Sequence, residues 1–90
     1  MDWIARKDPV TGYIYLIRCK GFYKIGVATD VHARIGQLQI GCPFQLTLVK
    51  AWASIDPIKE EQAIHDLLAQ YNIRGEWFKL PKELLVKLLN

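Results

Sequence analysis

Two short apolar runs set the frame of this chain. Tyr13 to Arg18 is rich in aromatic and branched residues, Phe22 to Val27 is a second such run, and Cys19-Lys20-Gly21 lies between them. Runs of this length joined through a glycine-containing connection predict a β-hairpin. A turn centred on Lys20-Gly21 sets Cys19 opposite Phe22, Ile17 opposite Lys24 and Tyr15 opposite Gly26. Because strand side chains alternate, Ile14, Leu16, Ile25 and Val27 share one wholly aliphatic face. The other face collects Tyr13, Tyr15, Ile17, Phe22, Lys24 and Gly26. A tyrosine, a lysine and a bare glycine side by side form a floor for a polar ligand, or else an ordinary half-exposed sheet face.

Downstream the period changes to that of helices. Asp30 is a helix-capping residue, Val31, Ile35 and Leu38 recur at helical spacing, and Gly41-Cys42-Pro43 ends the segment. Arg34 stands at the border of that stripe, where its stem can cover apolar surface while the guanidinium extends into a cleft. Gln45 to Ala53 alternates loosely and is predicted to be a third strand. Asp56-Pro57 opens a second helix running to about Tyr71, with Ile64, Leu67, Leu68 and Tyr71 as its buried stripe. Glu60 and Glu61 flank this stripe on opposite edges, and amphipathicity does not choose between them. Asn72 to Gly75 reads as a turn and Glu76 to Leu80 as a short extended segment, with Trp77 or Phe78 inward. Pro81 opens a last helix whose Leu84, Leu85, Leu88 and Leu89 need covering, by the core, a second copy or a protein partner.

The fold expected is α/β in the α+β sense, with a small three-stranded, mainly antiparallel sheet flanked by helices. Residues 1–11 form a lead-in and 12–90 a single domain. Ninety residues, 51% of them hydrophobic, support one modest core and argue against disorder. No apolar run has the length to cross a bilayer and the start lacks a signal-peptide pattern, so no membrane partner and a cytoplasmic location are expected. The net charge of +3 permits an anionic partner without demanding one. Cys19 and Cys42 follow no metal-ligand spacing with His32 or His65, and two reduced, partly buried thiols are expected. A phosphate-binding glycine loop and a nucleophile elbow are both lacking.

Tyr13-Ile14-Tyr15, then Lys24-Ile25-Gly26, then Arg34 eight positions past the glycine resemble the GIY-YIG nuclease signature. The Tyr-Lys-Ile-Gly form of the second motif and the later Gly75-Glu76-Trp77-Phe78 are similar to a small stand-alone phage and bacterial branch of that superfamily. The likeness spans Gly12 to about Leu80. It implies a GIY-YIG-like fold and a metal-dependent endonuclease that hydrolyses DNA phosphodiester bonds. Its acid occurs as Glu-x-x-x-His, here Glu61 to His65, and this favours Glu61 as ligand of one Mg²⁺ or Mn²⁺. Arg34 would clamp the non-bridging phosphate oxygens with its planar donor fork. Tyr15 would orient or deprotonate the attacking water, helped by Lys24 on the same strand face. Tyr13, Tyr23, Gly26, His32, His65 and Glu76 are the supporting or substrate-binding candidates.

The chain departs from the family pattern where Lys24 replaces the usual second-motif tyrosine and where Leu38 stands one turn after the arginine. Tyr23, adjacent to Lys24, faces the opposite way and is no simple substitute. The alternative is therefore a catalytically weak or inactive nucleic-acid-binding module on the same fold, with DNA ahead of RNA as partner. A non-enzymatic interaction protein working through the last helix stands third.

Overall fold

The computed structural model describes residues 11–90. Apart from Thr11, the expected lead-in lies outside the described residues. The hairpin forms as its alternation requires. Strand β1 (Gly12–Cys19) pairs antiparallel with β2 (Phe22–Ala28), setting Cys19 against Phe22, Ile17 against Lys24 and Tyr15 against Gly26. Lys20, in the turn, takes a positive φ of 60°, a conformation that costs a side-chain-bearing residue of the order of 1 kcal/mol. Helix α1 (Val31–Ile40) follows, its first turn capped where the Ala33 amide donates to Asp30 at 3.0 Å. Strand β3 (Thr47–Ser54) lies along the other side of β1. Helix α2 (Pro57–Leu67) starts at the expected Asp56-Pro57 pair, with the Lys59 amide donating to the Asp56 carboxylate.

The sheet has five strands where three were expected. Beyond a 3₁₀ turn at Ala69–Tyr71 come β4 (Asn72–Arg74) and β5 (Trp77–Phe78), and the order across the sheet is β3-β1-β2-β5-β4. These two strands are too short to show any alternation in sequence. They exist because β2 offers β5 an open edge, pairing Tyr23 with Phe78 and Lys24 with Trp77. Helix α3 (Lys82–Leu89) closes the chain.

Both sheet faces are covered. Ile14, Leu16 and Ile25 pack with Leu68, Phe78 and Leu80, and Leu84, Leu85 and Leu88 of α3 rest on them. Leu89 stays 41% exposed. On the opposite face Tyr15 and Ile17 pack against Val31 and Leu46, with Ile35 and Leu38 of α1 alongside. Trp77 and Phe78 thus both turn inward, one to each side.

The α2 stripe is rotated from the expected one. Leu67 is 74% exposed whereas Leu68 is buried. The partly or fully buried positions in the second half of the helix and at its C-cap are Glu61, Ile64, His65 and Leu68, which follow one another at three- and four-residue steps. Two polar residues therefore occupy a face that hydropathy assigns to Leu67.

Candidate functional site

The site begins with a missing side chain. A Cβ on Gly26 would stand 2.6 Å from Tyr15 Cζ, so only glycine lets the tyrosine ring lie across the neighbouring strand. The ring is fully buried under α1. Its Oη nevertheless has no hydrogen-bond partner. Burial raises the phenol's pKa above its ordinary value, and the Glu76 charge adds to this. Arg34 pulls in the other direction, facing the phenol without closing a hydrogen bond on Oη, and Glu61 again raises it.

Glu61 approaches from the opposite element. Its Oε2 is the other buried side-chain polar atom without a partner among the described residues. Burial, and then the neighbouring Glu76 charge, raise its pKa above the ordinary carboxylate value, while His65 and Lys24 hold it down in part. His65, one turn later on α2, shares a hydrogen bond of 3.0 Å between its Nε2 and the Ile25 carbonyl. Its ring meets Phe78 edge-on at 4.9 Å. This histidine thereby locks α2 onto β2 and fixes the turn of helix that carries Glu61. Lys24 reaches Glu76 at 2.9 Å and stands 5.7 Å from the Trp77 ring centre.

Glu76, Arg34 and Glu61 act electrostatically on Tyr15, and Glu76, His65 and Lys24 on Glu61, while Lys24 and Arg34 line different clefts. Arg34 is exposed and lines a cleft of about 410 Å³ with Gly12, Ala28, Thr29 and the start of α2. The other sequence candidates lie elsewhere. Tyr13 and His32 line a separate groove with Val31, Leu48 and Ala51. Tyr23 packs against the core on the opposite face of the sheet. Cys19 and Cys42 are free thiols with their Sγ atoms 3.8 Å apart.

Glu60 separates from Glu61 by its contacts. It accepts 2.9 Å from Trp52 Nε1 and 2.7 Å from Ser54 Oγ, and these bonds lower its pKa. Nothing in hydropathy announced this, although an indole and a hydroxyl two residues apart on β3 are donors awaiting an acceptor.

The donor set suits a hard cation better than a soft one. Among the described residues there is no cluster of three or more His, Cys, Asp or Glu side chains that would cage a metal. A buried carboxylate oxygen left unpaired, with a second carboxylate beside it, instead fits an ion that keeps most of its water ligands, as Mg²⁺ does. No helix among the described residues is long and apolar enough to cross a membrane.

The T5orf172 domain family matches residues 12–90, a span that takes in every strand and helix described above. No curated protein and no solved structure matches the chain.

Proposed function

The chain belongs to the T5orf172 domain family, a phage-associated domain of nuclease type, and on that footing we propose that it is a GIY-YIG-type endonuclease that hydrolyses DNA phosphodiester bonds with one divalent cation. One observation carries this reading. Among the described residues, the two buried side-chain polar atoms left without partners, Tyr15 Oη and Glu61 Oε2, both belong to the same candidate site. Unpaired buried polar groups cost stability, of the order of 1–3 kcal/mol each, and they are worth that cost where a ligand completes them.

In this mechanism Glu61, with Glu76 beside it, would hold Mg²⁺ or Mn²⁺. When bound, the ion would relieve charge on the phosphate and on the leaving oxygen. Arg34 offers its donor fork to the non-bridging oxygens from the rim of the cleft. Lys24 is engaged with Glu76, so its ammonium steadies the carboxylate pair and is not free to activate the phenol. Tyr15, whose pKa burial raises, orients the attacking water.

The departures from the family motif at Lys24 and Leu38 favour a second reading, a module that binds nucleic acid on this face without cutting it. Wild type, Arg34→Ala and Glu61→Gln are to be compared on supercoiled, linear and single-stranded DNA with Mg²⁺, Mn²⁺ or chelator. The nuclease reading expects metal-dependent nicking that both substitutions abolish. Salt-sensitive binding with no nicking under any metal condition would select the binding module. Nicking left intact by both substitutions would reject this site.

A further inference from the structure

At the turn end of the hairpin, away from Arg34, lies a further concavity of about 350 Å³. Three parts of the chain meet there: Lys20 and Phe22 from the turn, Phe44 from the loop after α1, and Arg74 and Trp77 from the β4–β5 edge. We propose that this groove seats an unpaired nucleobase, so that the protein engages single-stranded or locally unpaired nucleic acid next to its cleavage site. The proposal rests on the nucleic-acid reading above and extends it to the form of the substrate.

Aromatic rings and cationic side chains meet in this groove. Phe22 and Phe44 are 41% and 47% exposed, so part of each ring lies outside the core. Lys20 Nζ stands 4.4 Å from the centre of the Phe44 ring, and Lys79 Nζ 5.0 Å from that of Phe22. No acidic residue lines the groove. An apolar peptide would gain nothing from the ammonium groups, whereas a nucleotide uses both features: its base stacks on a ring while its phosphate meets the cation.

The groove is also held in shape. Gln39 donates from Nε2 to the Phe44 carbonyl at 2.8 Å and accepts from the Leu46 amide at 2.9 Å, so the loop carrying Phe44 is tied to α1. Lys20 occupies a backbone conformation that glycine would adopt without strain, and from there its ammonium stands over Phe44. Strand β2 links the two sites. Phe22, Lys24, Gly26 and Ala28 lie on one face of it, and six residues at strand rise place Phe22 about 20 Å from Ala28 beside Arg34. A few nucleotides of extended strand span that interval.

Fluorescence anisotropy with a labelled short oligothymidylate and with the matching duplex, in chelator, tests the proposal on the full chain. Phe44→Ala and Phe22→Ala are each expected to weaken single-strand binding about tenfold while leaving duplex binding unchanged, and Phe44→Trp to retain it. Both rings are half exposed, and circular dichroism reports whether the variants fold. Equal loss on both substrates, no loss on either, or an aromatic-dependent self-association in sedimentation would each overturn the proposal. Because cleavage is not the readout, a protein that binds but never cuts can still satisfy it. Glu61→Gln retaining single-strand preference while losing nicking would support both readings.

Discussion

Glu60 and Glu61 are neighbours on one helix and meet opposite fates. The Glu60 carboxylate accepts from Trp52 and Ser54, and those bonds lower its pKa. The half-buried Glu61 carboxylate has one oxygen buried and unpaired, and its pKa is raised. Successive helix positions differ by about 100°, enough to send one acid to the β3 edge and the other over β2. The difference separates a carboxylate that holds the fold together from one that the fold leaves wanting a partner. Leu67 and Leu68 repeat the contrast about two turns later, the first exposed and the second buried.

The two acids separate most clearly in kinetics. Glu61→Gln should lower metal-dependent nicking by about 10²–10³-fold, and Glu60→Gln should leave the rate close to wild type, as read on supercoiled DNA. Equal losses would make the two acids equivalent and remove Glu61 from its role.

The leucine pair comes next. Leu68→Ala empties a core position and should cost about 3 kcal/mol in denaturant unfolding, against less than about 0.5 kcal/mol for Leu67→Ala. A comparable cost for both would mean that α2 is rotated differently from the description above.

Gly26→Ala tests the floor beneath the site. Its methyl group would collide with the Tyr15 ring, which is fixed under α1, so a destabilisation of about 1–3 kcal/mol is expected. The phenol hydroxyl would shift with the ring, and nicking should fall more than Tyr15→Phe alone makes it fall.

The smallest effects concern stability and pH. Glu60→Gln should cost about 1 kcal/mol near neutrality, modest because the group is exposed. Its folded pKa is depressed, so that stability is present above the ordinary carboxylate pKa and fades as pH falls through the lowered one. Glu61 behaves in reverse. With its folded pKa raised, stability is fully present below the ordinary carboxylate value and is lost as pH rises through the raised one. Glu61→Gln should therefore melt higher than wild type at neutral pH, with the gap closing in acid. Mg²⁺ should narrow the same gap by stabilising wild type alone. Parallel pH profiles for the two variants would contradict the assignment of opposite environments.

Much of this was legible from residue order. Alternation through Tyr13–Arg18 and Phe22–Val27 determined the hairpin, its register and the sharing of a face by Tyr15, Lys24 and Gly26. The caps at Asp30 and Asp56 determined where two helices begin. These are local facts, since strand period and capping hydrogen bonds involve residues a few places apart. The burial of Glu61 was not legible, because a helix's rotation follows from what it packs on. A histidine bonded to the Ile25 carbonyl and set against Phe78 outweighed the hydropathy of Leu67. The two edge strands were equally hidden, being too short to carry a period and formed only because β2 had an unpaired edge. The seating of Phe44 beside Lys20, across more than twenty residues, was likewise decided by tertiary structure alone, since no local rule relates a hairpin turn to a loop that packs against it.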